Sequence, residues 1–261
     1  MDRRQFMQAG IAAGALTTTG FTLPARDDSR HYYELRSYEL RSDLNPARLR
    51  TFYKDAFLPA YARAGAGAVG VFSADTGFAS GTLLTLVEYA SLATFDSVAQ
   101  RLEADSTFRD ARRSFESGAE LPYVRYESRL LRAFTGHRQV EVPATDAARA
   151  PRMFELRTYE ARSTSALERK IAMFNGGEMP IFRRLGMLPV FFGENLTGTR
   201  LPSLTYMLAY DDIAARTKAW AAFRVDPEWQ RLSKDPQYEA LGSVTVTNAA
   251  YLSPAAFSPI R

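Results

Sequence analysis

Glu34, Arg36 and Tyr38 alternate along the phrase YELRSYELRS at 33–42, and Glu155, Arg157 and Tyr159 alternate in the same way along FELRTYEARS at 154–163. Side chains two apart on a strand share a face, so each phrase presents a carboxylate, a guanidinium and a phenol together. Such a trio can do two things. A guanidinium binds an anion or a polarised carbonyl through its paired N–H donors, with the carboxylate beside it available as a base. Alternatively, the three groups satisfy one another as a polar network, because ion-pair networks also occur away from active sites. The phrase is compatible with a ligand pocket and with a structural network.

The elements that position these residues come from a duplication. The phrases lie 121 residues apart (154 − 33), and the same shift places Pro59 on Pro180, Gly65 on Gly186, Gly77 on Gly198, Tyr89 on Tyr210, Asp105 on Asp226 and Phe108 on Trp229 without a gap. One register held over that distance marks tandem repeats. They are placed at 31–135 and 152–261, with the polar, Pro- and Ala-rich segment 136–151 as a linker.

Each repeat reads β-α-β-β-α-β. Aromatic-rich alternation in YYELRSYEL predicts the first strand. Asn45-Pro46 supplies the N-cap and first turn of a helix, along which Leu49, Phe52, Tyr53, Phe57 and Tyr61 recur at helical spacing. Pro59 and Pro180 are expected to kink that helix. VGVFSADTG with TLLTLVEYA, and PVFFGENLTG with LTYMLAY, predict strand pairs turning at Gly77 and Gly198. A second helix starts near Ser91 or Asp212, and VRYESRLLR or SVTVTNAAYL supplies the last strand.

That order is the split-βαβ, ferredoxin-like plan, an α+β fold. Its sheet carries helices on one face, so the bare faces of two copies are expected to cover one another as a pseudo-dimeric α+β barrel within one chain. A further homo-oligomer is compatible with this arrangement and not needed by it. The more apolar face of the first strand, with Tyr33 and Leu35 or Phe154 and Leu156, is expected under the helices. Glu34, Arg36, Tyr38, Glu155, Arg157 and Tyr159 are then expected to face a polar interior between the sheets.

Composition narrows the chemistry. Zero cysteine excludes disulfides, thiolate metal sites and a cysteine nucleophile. Two histidines, His31 and His137, are too few for a histidine metal cage, and both are read as surface residues because neither has a counterpart in the other repeat. No metal and no cofactor are expected, and no dinucleotide, phosphate-loop or nucleophile-elbow motif occurs. The net charge of +4, from 33 basic and 29 acidic residues, is interspersed, which argues against a nucleic-acid partner. No segment is expected to span a membrane in the mature protein. DPEW at 226–229 reads as a helix start, with Asp226 as cap and Trp229 as a packing residue.

The first 25 residues carry a different message. Arg3-Arg4 precede Phe6-Met7, an Ala-, Gly- and Thr-rich run follows, and Leu23-Pro24-Ala25 leads into a polar stretch. This pattern describes a twin-arginine-type export signal, with the periplasm as the expected location and secretion as the second choice.

The Y/F-E-L-R-x-Y-E phrase in both repeats, Pro59 and Pro180, DPEW and the ending YLSPAAFSPIR together resemble the NIPSNAP family of the dimeric α+β barrel superfamily. The first repeat has DSTF where the second has DPEW, so it departs from the pattern there. The resemblance implies the barrel fold and leaves the activity open, since fold does not give function. Its wider superfamily includes cofactor-free monooxygenases, haem enzymes and small-molecule isomerases or lyases; the missing repeat-placed histidine argues against haem. Three expectations follow: a protein that binds a small molecule or a protein partner, a cofactor-independent oxygenase or isomerase acting on an aromatic or carbonyl compound, or an interaction module. A carboxylate of raised pKa beside free space would favour the enzyme.

Overall fold

The structure is a computed structural model and describes residues 30–40, 46–117, 122–145, 150–238 and 240–261. Arg3 and Arg4 of the export segment, and the cap residue Asn45, lie outside the described residues. The first repeat runs β1 (Tyr32–Glu39), α1 (Pro46–Phe52), a π-turn (Tyr53–Phe57), α2 (Leu58–Ala64), β2 (Val69–Ala74), β3 (Leu83–Tyr89), α3 (Leu92–Ala104), α4 (Ser106–Glu116) and β4 (Arg125–Ala133). The second runs β5 (Met153–Ala161), α5 (Thr164–Met173), a π-turn (Phe174–Glu178), α6 (Met179–Arg184), β6 (Leu188–Asn195), β7 (Ser203–Tyr210), α7 (Ile213–Val225), α8 (Pro227–Leu232), α9 (Ala240–Ser243) and β8 (Val244–Pro254).

Local chemistry accounts for the boundaries. Ser91 and Asp212 cap α3 and α7 by accepting from the N–H groups of Thr94 and Ala215. Asp226 caps the helix expected at DPEW, accepting from Glu228 and Trp229; Asp105 does the same in the first repeat, accepting from Phe108 and dividing the single helix expected there. The kink expected at Pro59 and Pro180 takes the form of the π-turn. Each proline sits in the first turn beyond it, where a missing N–H is tolerated.

The eight strands close into one antiparallel barrel in the order β1-β3-β2-β8-β5-β7-β6-β4. Each repeat supplies four adjacent strands. The two sheets join edge to edge, through Phe72↔Pro254 to Ala74↔Leu252 on one side and Leu131↔Asn195 to Ala133↔Gly193 on the other. Among the described residues no helix is long and apolar enough to cross a membrane.

Closure corrects the expected strand phase. Tyr33, Leu35, Phe154 and Leu156 point into the barrel, where they pack with Phe72, Leu86, Leu131, Phe191, Met207 and Leu252. Glu34, Arg36, Tyr38, Glu155, Arg157 and Tyr159 lie on the outer face, beneath the helices. The physical reason is dehydration: a barrel interior walled by eight strands is drier than a sheet–helix seam that opens to water at its rim, so the apolar face takes it. The interior is therefore filled with side chains over most of its length.

The segment after β4 also departs from expectation. Val140 enters the barrel's apolar core, and its N–H donates to Glu88 Oε1 at 2.7 Å. His137, expected at the surface, is 4% exposed, with its ring packed on Phe192 and Nε2 at 3.2 Å from the Val190 carbonyl. Ile260, near the end of the chain, enters the same core. A connector that returns across the end of a barrel is dehydrated by the barrel's own core, whatever its composition suggests.

Two substitutions test this packing. Leu35→Ala should cost about 2–5 kcal/mol in denaturant unfolding, as a core truncation. Gly77→Ala should cost about 1–3 kcal/mol, because Gly77 has φ +82° and a Cβ there would lie 2.7 Å from the Ala250 Cβ. A loss below 1 kcal/mol for Leu35→Ala would contradict the inward phase of β1.

Candidate functional site

On the outer face of β1, Glu34 is buried and accepts four hydrogen bonds. Arg36 donates twice, from Nε and Nη2, each at 2.7 Å; Ser128 Oγ donates at 2.6 Å and Tyr89 Oη at 3.0 Å. Glu155 occupies the equivalent place on β5. It accepts from Arg157 Nη1 at 2.8 Å, Arg216 Nη2 at 2.7 Å, Arg216 Nε at 3.2 Å, Trp220 Nε1 at 2.8 Å and Tyr210 Oη at 3.2 Å. Burial pushes both carboxyls up, but the guanidinium and other donors outweigh it and hold them below the ordinary carboxylate value.

The six predicted residues therefore divide. Glu34 and Glu155 sit behind the surface as anchors that aim the guanidinium groups. Arg36 with Tyr38, and Arg157 with Tyr159, line two separate clefts between sheet and helices, of about 280 Å3 in the first repeat and 440 Å3 in the second. The structure brings each trio together and does not unite the two trios. The 121-residue register matches one cleft to the other almost position by position: Ala99 with Trp220, Leu102 with Phe223, Glu103 with Arg224, Phe108 with Trp229.

The same register exposes the difference between them. Leu49 and Phe57, on the apolar stripe of the first helix, become Lys170 and Glu178 in the second repeat. Lys170 Nζ donates to Glu178 Oε2 at 2.6 Å, and the two side chains are only 7% and 3% exposed. The ammonium lies 4.5 Å from the Phe174 ring centre, 5.5 Å from Trp229 and 5.7 Å from Tyr159. Burial raises the Glu178 pKa, and Lys170 and Arg157 only partly offset it. Arg157 in turn lies over the Trp220 ring at 4.6 Å. Four cationic groups (Arg157, Lys170, Arg216, Arg224) thus meet two carboxylates (Glu155, Glu178) at this cleft. In the first cleft Arg36 and Arg112 face Glu34, Glu103 and Glu116, and Arg36 is stacked on Phe57 and Tyr61.

Lys170 and Glu178 escaped the reading of the sequence, although two charges on an otherwise apolar helical stripe were a usable signal. The packing role expected for Trp229 is only part of its place: it packs on Phe223 at 4.4 Å, and it also walls the cleft. Among the described residues no group of three His, Cys, Asp or Glu side chains is placed to hold a metal ion.

Glu155→Gln should destabilise the fold by about 3 kcal/mol or more, because it leaves two guanidinium groups facing a neutral amide. The pH dependence follows from the sign of the shift. Carboxyls held below 4.5 stabilise the fold above that value and lose the contribution as pH falls through their depressed pKa. The melting temperature should fall below pH 4.5, and less steeply in Glu155→Gln; an unchanged slope in the variant would contradict the anchor role.

The NIPSNAP family profile matches residues 33–135 and 154–259. No curated protein matches the chain. Among solved structures, a putative monooxygenase from Fusobacterium nucleatum superposes with TM-score 0.58 at 12% identity, covering 87% of this chain and 93% of that one. A putative monooxygenase from Lactobacillus acidophilus gives TM-score 0.55 at 12% identity, with 86% and 94% covered. At these identities the likeness is one of fold. An uncharacterized NIPSNAP-like domain protein from Burkholderia xenovorans, 22% identical with TM-score 0.36, matches 41% of this chain and 89% of its own. With both repeats matched, this chain belongs to the NIPSNAP family and carries two NIPSNAP-like repeats.

Proposed function

We propose that the second-repeat cleft binds a small aromatic or carbonyl-bearing acid and removes a proton from it. The observation that carries this reading is the Lys170–Glu178 pair at the floor of that cleft, where the first repeat has Leu49 and Phe57. An ion pair in a dry floor adds little to stability compared with an apolar pair of similar size, so stability alone gives no reason for it. Arg157, Arg216 and Lys170 suit an anion, while Trp220, Trp229 and Phe223 suit a flat ring.

The proton step balances within these residues. Glu178, with its pKa raised by burial, takes the proton from a carbon beside the substrate carbonyl. The electron pair of that C–H bond moves onto the carbonyl oxygen as an enolate. Lys170 loses its ionised partner as Glu178 is protonated, and with Arg157 it is left to face the new oxyanion. Return of the proton to another carbon gives an isomer; reaction of the enolate with dioxygen gives an oxygenated product. The putative monooxygenases of the same fold are compatible with the second outcome.

The chain has two tryptophans, and both line this cleft, so intrinsic fluorescence reports its occupancy. Titration with a panel of hydroxybenzoates and cyclic diketones should give saturable quenching with at least one member. Arg157→Met should weaken that binding tenfold or more, and Arg36→Met should leave it unchanged. Glu178→Gln should bind within a few-fold of wild type but lose deuterium exchange at the acidic carbon in D2O by about a hundredfold, in line with removal of a general base. Quenching that ignores Arg157→Met, or exchange that survives Glu178→Gln, would sink the reading.

Export to the periplasm belongs to the same proposal, and its support is the Arg3-Arg4 segment with the Ala-, Gly- and Thr-rich run behind it. Mass measurement of the periplasmic protein should give a chain starting near Arg26; an unprocessed chain confined to the cytoplasm would refute it.

A further inference from the structure

The register of β1 with β4 sets Arg129 opposite Leu35 and Glu127 opposite Ser37, on the barrel's inner face. Leu35 belongs to the apolar core, so Arg129 is a cation at the upper limit of a packed interior. The equivalent residue in the second repeat is Ala250, opposite Leu156. The guanidinium is therefore not a demand of the fold, since the other half closes with a methyl group.

Arg129 lines a cavity of about 350 Å3 at this mouth of the barrel, together with Arg200, Asn195, Asn248, Thr199 and Glu127. The loop between β6 and β7 forms its overhang. That loop is fastened to β4 beside Arg129: Leu196 N–H donates to the Leu130 carbonyl at 2.8 Å, and Thr197 Oγ1 accepts from Leu130 N–H at 2.9 Å. Gly198 lies against the arginine stem, and a Cβ there would come within 3.2 Å of Arg129 Cδ. The stem is thus boxed in while the head faces the cavity.

Among the described residues, the Arg129 side chain makes no hydrogen bond or ion pair with the protein. Glu127 lines the same mouth and attracts it from beyond ion-pairing distance. Arg200 is held toward Glu160 at 3.6 Å, and Asn248 Nδ2 donates to the same carboxylate oxygen at 3.0 Å. Asn195, Ser203, Thr205 and Thr158 satisfy one another below, through contacts of 2.7, 3.2 and 3.0 Å. A half-buried guanidinium with no acceptor bonded to it has its donors free for something that enters from solution. Desolvation and the nearby Arg200 both disfavour its charge, which is the opposite of what a structural arginine gains from its surroundings.

We infer that the barrel mouth is a second binding site, for a small oxyanion such as a carboxylate or a phosphate group, held by Arg129 with Arg200 as the second cation. The site spans both repeats: β4 brings Arg129, and the β6–β7 loop and β8 bring Arg200 and Asn248. A lone repeat would lack it. It is separate from the Trp-lined cleft, which lies outside the barrel wall.

The test is calorimetric titration of the full chain with inorganic phosphate and, separately, with succinate, in chloride buffer. Saturable binding of either is expected, and the one that binds more tightly identifies the source of the oxyanion. Arg129→Ala should weaken it at least tenfold and Arg129→Lys less. Arg200→Ala should weaken it several-fold, and the cleft variant Arg157→Met should leave it unchanged. Because Arg129 holds no protein partner, Arg129→Ala should melt within a few degrees of wild type. No saturable binding of either anion to wild type, or wild-type affinity in Arg129→Ala, would overturn the site.

Discussion

Each four-stranded sheet in this protein begins with two open edges, β2 and β4 in the first repeat and β6 and β8 in the second. An open edge is a row of unpaired N–H and C=O groups, and the duplicated chain removes all four by joining β2 to β8 and β4 to β6. The consequence reaches well beyond the seams. Once closed, the barrel has an inside that water reaches only at its mouth, and an outside that the helices cover incompletely. Apolar side chains take the inside. Away from the mouth, the strands then turn their charged residues to the helix-covered face, and the clefts form there.

Burying a carboxylate under a helix layer is costly, and the two repeats meet that cost in the same manner. Glu34 and Glu155 are each surrounded by donors, with a guanidinium two residues away on the same strand face as the first of them. The pairing explains why the Glu-x-Arg spacing occurs in both copies: a carboxylate without its arginine would be an unpaired buried charge. It also explains why the arginine, rather than the glutamate, is presented to the cleft. The glutamate is consumed as an anchor, and the guanidinium keeps a face over the aromatic rings.

Duplication left the anchors alike and the clefts different. In the first repeat Arg36 lies over the stacked rings of Phe57 and Tyr61, and the surrounding charge is balanced toward the acidic. In the second, Trp220 replaces an alanine, Arg216 joins Glu155, and a lysine–glutamate pair replaces two apolar side chains. Symmetry preserved the part that holds the fold. The part that departs from symmetry is where specific chemistry is concentrated, both in the second cleft and at the barrel mouth, where Arg129 stands opposite Ala250 in the pseudo-symmetric order.

How much of this was legible follows from what each feature depends on. The repeats, the element order, the helix caps at Ser91, Asp212 and Asp226 and the trios themselves rest on local spacing or on self-similarity, and both are written in one dimension. The phase of β1 and β5 was not. Alternation shows that two faces differ, but not which face meets the drier environment, and only barrel closure settles that. The Lys170–Glu178 pair shows the same limit, because a charge on an apolar stripe gains its meaning from the ring, ion and cleft packed against it. His137 and Val140 looked like linker residues until the barrel end dehydrated them. Residue types and their period determined the architecture of each repeat; the closing of two sheets on one another decided which side chains are wet, which are paired, and hence where chemistry can occur.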